Sequence, residues 1–297
     1  MLTRRFLLSS CSLVAVIAGI SLCSGLAAQQ ANDPSKQSSG PQAQLRIADR
    51  SAPQENTVVE HPLMPAIRWA YQGLQDIQKI QDYSAIMVKR ERIDGKLNDP
   101  EYAFVKIRHK PFSVYMYFLE PASVKGQEVI YVEGANGGKM WAHPAGIRNK
   151  LIGTVSLDPT GPIAMQNSRY PITEIGILNL VRRLIEVGEQ DMKYGECEVK
   201  FFEGAKINDR TCTCIQVVHP VPRRNFRFHL ARIYVDTEYN LPIRYESYDW
   251  PTEPNGPPQL IEEYTYLNIK LNNGFTDMDF DIRNPNYDFR VKDKEAQ

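Results

Sequence analysis

The chain has 297 residues, with 35 basic and 35 acidic side chains and no formal net charge. That balance argues against a nucleic-acid binder, which carries a basic stripe. Apolar residues make up 42% and charged residues 24%, so the chain is no disordered polyelectrolyte and has enough apolar material for one large domain or two small ones.

The zero is a sum of unlike parts. Residues 1–28 hold Arg4 and Arg5 and no acid, which leaves 33 basic and 35 acidic groups for the remainder. Arg4-Arg5, the apolar run Phe6 to Leu26 and the small residues Gly25, Ala27 and Ala28 form an export signal. The run is also long enough to act as an uncleaved anchor. The expected location is therefore the periplasm or another exported compartment of the cell envelope. Cys11 sits near the start of the apolar run rather than after it and Cys23 follows bulky Leu22, so neither fits a lipid-attachment site. Residues 29–60 are rich in Gln, Ser, Asn, Pro and Ala and read as a disordered spacer. A domain over 61–290 and a tail over 291–297 complete the expected layout.

Within the domain, Leu63, Ile67, Ala70, Leu74 and Ile77 recur at helical spacing and predict a helix over 62–81. Short strands follow over Tyr83–Arg92, Tyr102–His109, Phe112–Leu119, Gln127–Glu133 and Lys139–His143, with Asp94-Gly95 as a two-residue hairpin turn. Residues 145–170 are rich in Gly, Pro and Asn and read as a long loop. A second helix is expected over Ile172–Gln190, its stripe formed by Ile177, Leu180, Val181, Leu184 and Ile185. Strands resume over Glu196–Glu203, Thr211–His219, Phe226–Val235, Pro242–Tyr248 and Leu260–Leu271. Helix, five strands, helix, five strands gives an α+β domain with an antiparallel sheet.

Phe112–Leu119 is apolar on both faces, with Phe112, Val114, Met116 and Phe118 on one side and Tyr115, Tyr117 and Leu119 on the other. One face must pack a core, and the other meets helices, a ligand or a partner. Arg227, His229, Arg244 and Glu246 alternate with Phe226, Phe228 and Tyr245 and are expected on a solvated face. Catalytic motifs are missing: there is no nucleophile elbow, P-loop, His-Glu-x-x-His or dinucleotide fingerprint. His61, His109, His143, His219 and His229 are scattered, and the neighbours Glu262 and Glu263 point to opposite faces of a strand. Cys197, Cys212 and Cys214 are an odd set. His219 lies five residues from Cys214, on the opposite side of a strand, so no metal site is expected. No cofactor and no enzymatic activity are expected.

Several stretches carry a family resemblance. They are Lys89-Arg90-Glu91, Lys110-Pro111-Phe112-Ser113-Val114-Tyr115-Met116, Gly126-Gln127-Glu128-Val129-Ile130-Tyr131-Val132, Ile233-Tyr234-Val235-Asp236 with Leu241-Pro242-Ile243-Arg244-Tyr245, and Phe280-Asp281-Ile282-Arg283-Asn284-Pro285-Asn286-Tyr287-Asp288-Phe289. Together, over about residues 60–290, they resemble a family of exported bacterial proteins of unassigned function. That family is similar to the outer-membrane lipoprotein carrier superfamily, LolA and LolB. The resemblance implies a strongly curved antiparallel sheet, an incomplete half-barrel of about ten strands with helices over its concave face. It also implies a cavity for the acyl chains of a lipid or lipoprotein.

The expected cavity residues are Trp69, Met87, Phe112, Met116, Phe118, Tyr131, Trp141, Ile177 and Leu184. The leading expectation is a non-catalytic carrier or binder of a lipid, acyl chain or lipoprotein, without nucleic acid and with no membrane-spanning segment in the mature domain. A structural module that docks an envelope protein on the same scaffold is the alternative. An envelope enzyme comes third, to be revived only by a tight cluster of His, Asp, Glu or Cys inside the cavity.

Overall fold

The computed structural model of the protein describes residues 60–144 and 153–290. The expected export segment, the spacer up to residue 59, part of the expected loop (145–152) and the tail (291–297) lie outside the described residues.

The first helix, α1, spans Met64–Ile77. Pro65 sits in its first turn, where a missing N–H costs nothing. Ile67, Gly73 and Ile77 form its buried stripe. The chain then enters β1 (Asp82–Ile93), turns through Asp94 and Gly95, both at positive φ, and returns as β2 (Lys96–Leu97) and β3 (Glu101–His109). A two-residue turn with left-handed φ at both positions is what Asp-Gly supplies at low strain. β4 (Phe112–Glu120), β5 (Glu128–Val132), β6 (Met140–His143) and β7 (Val155–Leu157) continue the meander. After the short α2 (Pro162–Met165) and a 3₁₀ turn at Ile172–Glu174 comes α3 (Ile177–Asp191). The last strands are β8 (Glu198–Ile207), β9 (Arg210–Val218), β10 (Leu230–Asp236), β11 (Pro242–Asp249) and β12 (Gln259–Leu271).

All pairings are antiparallel, and the sheet order is β7-β6-β5-β4-β3-β1-β12-β11-β10-β9-β8, with β2 attached to β1. β7 and β8 lie at the two ends of this order and do not pair, so the sheet is open rather than a closed barrel. It is the expected curved half-barrel with helices over the concave side, built among the described residues from twelve strands rather than about ten. The additional strands, β2 and β7, span two and three residues, too short to show alternation in sequence.

Further details differ from expectation. The second helix does not start at Ile172: the chain bends at Gly176, with φ of 107°, before α3 begins. A side chain there would meet the Tyr83 hydroxyl at 3.1 Å, and that hydroxyl accepts the Ile177 N–H at 2.8 Å, covering an orphan donor of the helix. The strand expected from Phe226 begins at Leu230, because the Phe226 and Phe228 rings fold against the His219 imidazole instead. Glu246 is buried rather than solvated, held by Arg232 and Arg244 on the convex face. The expected loop contains β7 and α2.

α1 and α3 pack on each other over the concave face. Gly188 makes this approach possible, since a Cβ there would lie 3.1 Å from Ile67 Cδ1. On the convex face, the segment after β12 lies across β3, β4 and β5. The Asp82 carboxylate accepts the backbone N–H groups of Asn273, Gly274 and Phe275. Phe280 and Phe289 are buried against Tyr115 and Ile130, and Tyr287 stacks on Tyr115 with centroids 4.0 Å apart. So the two apolar faces of β4 have different covers: Tyr115 and Tyr117 meet the chain's own C-terminal segment, while Met116 and Phe118 face the concave side.

Phe280→Ala is expected to cost about 3–5 kcal/mol in urea unfolding, because it empties the centre of this cover. Ile163→Ala, at a side chain 72% exposed, is expected to change stability by less than about 0.5 kcal/mol. Equal effects would contradict the packing described.

Candidate functional site

The concave side encloses a cavity of about 1470 Å³. Its wall is built by strand alternation. Met87 of β1, Met116 and Phe118 of β4, Val129 of β5, and Met140 and Ala142 of β6 contribute from one half of the sheet. Ile215 and Val217 of β9, Ile233 and Val235 of β10, and Tyr266 of β12 contribute from the other. Trp69 of α1 and Leu180, Leu184 and Val187 of α3 close the roof, and residues from Ile163 to Gly176 form a further side.

Of the nine residues expected here, Trp69, Met87, Met116, Phe118 and Leu184 line the cavity. Four do not. Trp141 lies out of phase with Met140 and Ala142, so its ring belongs to the convex cluster with Tyr115 and Phe280. Phe112 and Tyr131 pack against each other in the core, and Ile177 is fully buried at the start of α3.

One end of the cavity is polar. β1 and β12 pair so that Glu91 stands directly opposite Glu262. Both carboxylates are buried and both line the cavity. Two carboxylates side by side without water need donors, and the segment at 168–170 supplies several. Arg169 Nε donates to Glu262 at 2.8 Å, and the Arg169 backbone N–H donates to Glu91 at 3.3 Å. Tyr170 donates to Glu262 at 3.2 Å, and Tyr264 donates to Glu91. Lys89 lies 3.5 Å from Glu91 and 3.1 Å from Glu101 and donates to Ser168. Burial pushes the Glu262 carboxyl above the usual range, Arg169 pulls it back, and the Glu91 charge raises it further. Glu262 and Glu263 do point apart, as their adjacency predicts, with Glu263 held by Arg244 on the convex face. What adjacency could not show is that Glu91 stands opposite Glu262.

A second polar group lies elsewhere in the wall. Asp191, the last residue of α3, lines the cavity and is 5% exposed. Among the described residues its carboxylate has one close polar neighbour, His219 Nε2 at 3.4 Å, and no hydrogen bond joins the two. Burial pushes Asp191 up to about 6, against the pull of Arg227, and burial holds the His219 imidazole below its ordinary value. The Cys197 thiol is raised to about 11, first by burial and then by the Asp191 charge, so it is a poor nucleophile. Cys197, Cys212 and Cys214 are free thiols. Among the described residues no group of three His, Cys, Asp or Glu is placed to hold a metal ion, and no helix is long and apolar enough to cross a membrane.

A family model described as "Protein of unknown function (DUF1571)" matches residues 80–289. The chain belongs to the DUF1571 family. No curated protein sequence matches it. Solved structures similar to this DUF1571 chain include lipoprotein LppX from Mycobacterium tuberculosis, at 12% identity and TM-score 0.42, covering 72% of this chain and 98% of that one. LprF from Mycobacterium bovis is similar at 12% identity and TM-score 0.39, covering 73% and 97%. The LolA superfamily protein NE2245 from Nitrosomonas europaea is similar at 12% identity and TM-score 0.30, covering 71% and 97%. The likeness is one of fold.

Two outcomes test the polar groups. Arg169→Ala removes the guanidinium that holds the Glu262 carboxylate beside Glu91, and faster amide hydrogen exchange is expected over residues 167–176; unchanged exchange would contradict that anchoring role. Asp191 takes up a proton more readily folded than unfolded, so its contribution to stability grows as pH falls through about 6 toward its ordinary value of 3.8. Asp191→Asn is expected to remove that component from the pH dependence of urea unfolding, and a variant that follows the wild-type curve would show that Asp191 titrates as an exposed carboxylate.

Proposed function

We propose that this is an exported, non-catalytic protein of the cell envelope that holds the acyl chain of a lipid or lipoprotein in the concave cavity. The observation that carries the reading is the cavity wall. Apolar side chains from both half-sheets and both long helices converge on one space. A wall of this kind rewards any long alkyl chain by about 0.8 kcal/mol per buried CH₂. Sixteen carbons would then contribute roughly 12 kcal/mol, close to the cost of about 4–15 kcal/mol for immobilising a ligand. Tight binding on this arithmetic calls for more than one chain, or one chain with its polar end anchored.

The two carboxylates at the polar end of the cavity are engaged by Arg169, Tyr170 and Tyr264, which leaves neither one poised as a free base.

Uptake of the apolar fluorophore N-phenylnaphthylamine by the purified domain tests the reading. Bright, saturable fluorescence is expected from the wild type. Val235→Trp, which fills the wall of β10, is expected to weaken uptake at least about tenfold while the domain stays folded by circular dichroism. Equal uptake by both would place the fluorophore outside the cavity and contradict the proposal.

A further inference from the structure

The polar groups of the cavity wall differ in one respect. The carboxylates of Glu91 and Glu262 have donors from the protein itself, whereas the Asp191 carboxylate has none among the described residues. Its neighbour makes the shortage worse. His219 is fully buried, with its ring sandwiched against Phe226 at 3.9 Å between centroids. His219 Nδ1 lies 3.2 Å from the Phe228 carbonyl oxygen. A carbonyl can only accept, so Nδ1 carries a ring hydrogen; burial favours the neutral ring, in which Nε2 presents a lone pair. That lone pair faces the Asp191 carboxylate at 3.4 Å and has no partner.

His219 Nε2 is thus a buried atom with no partner, and the Asp191 carboxylate beside it faces the cavity with no protein donor among the described residues. Asp191 also ends α3, where the negative end of the helix dipole disfavours a carboxylate. The other charged or titratable groups around the pair are Cys197 before β8, and Arg227 and His229 in the segment between β9 and β10. Arg227 is exposed and makes no ion pair with Asp191.

We infer that Asp191, backed by the His219 lone pair, anchors the polar end of an amphiphile whose head is a hydrogen-bond donor without negative charge, an ammonium or a hydroxyl. This rests on the proposed acyl-chain cavity and narrows its ligand. The alkyl chain lies along the apolar wall, and the head reaches the Asp191 carboxylate, supplying the missing donor. A carboxylate or phosphate head brings a third acceptor to the same place and is disfavoured.

The test is displacement of N-phenylnaphthylamine by three probes of one chain length, hexadecylamine, hexadecanol and palmitate, at about pH 8, where Asp191 is ionised. The wild type is expected to bind the amine and the alcohol at least about tenfold more tightly than palmitate. Asp191→Asn is expected to bring the three within about twofold of one another. Its amide N–H can donate to His219 Nε2, so the variant is expected to melt no lower than the wild type. Equal displacement by all three probes in the wild type, or a preference that survives in D191N, would overturn the anchor and leave the cavity reading standing. Failure of all three to displace a bound fluorophore would remove the cavity reading, and the anchor with it.

Discussion

The seam between β1 and β12 holds the architecture together. The first strand of the domain pairs with the last, and the two half-sheets, β7 to β3 and β11 to β8, meet only through these two strands. The register of the seam decides which side chains share the concave wall. It brings Met87 opposite Tyr266 within the apolar part of the cavity, and Glu91 opposite Glu262 at its polar end. A slip of one residue at the seam would put the two carboxylates on opposite faces and turn one half of the wall inside out relative to the other.

The second constraint is that the central strands are apolar on both faces and need two separate covers. The helices serve the concave side but stand far enough from the sheet to leave a cavity. The C-terminal segment serves the convex side, pinned by Asp82, by Lys106 on Asp279, and by the Tyr115–Tyr287 stack. This division explains how one sheet can have a dense core and an open chamber. The convex packing stabilises the strands, and the concave wall is free to remain partly unfilled.

Much of this was legible from period and turn chemistry. The helix stripe at Ile67 and Ile77, the Asp94-Gly95 hairpin and the alternation of Met116 and Phe118 all follow from local rules, and the structure places them accordingly. Trp141 shows the limit of choosing residues by size, since its ring sits on the face that Met140 and Ala142 leave. The polar groups were harder to read because their partners are remote. Glu91 and Glu262 meet through strand register, and Asp191 and His219 meet where the end of α3 crosses the end of β9. No spacing in the sequence announces either contact. The cover role of the Phe280–Phe289 stretch was equally hidden: the stretch stood out as a family feature, but it has no regular period to show which face it packs against.

The central claim is that the concave chamber is a lipid-binding cavity rather than an empty consequence of the fold. Native mass spectrometry of the full chain, purified from the membrane-containing fraction in a mild detergent, addresses it directly. The account predicts a population carrying an additional mass that dissociates on collisional activation and is identified as an acyl-chain lipid, and loss of that population in Val235→Trp. A single apo mass under the same conditions, unchanged on incubation with extracted envelope lipids, would contradict it.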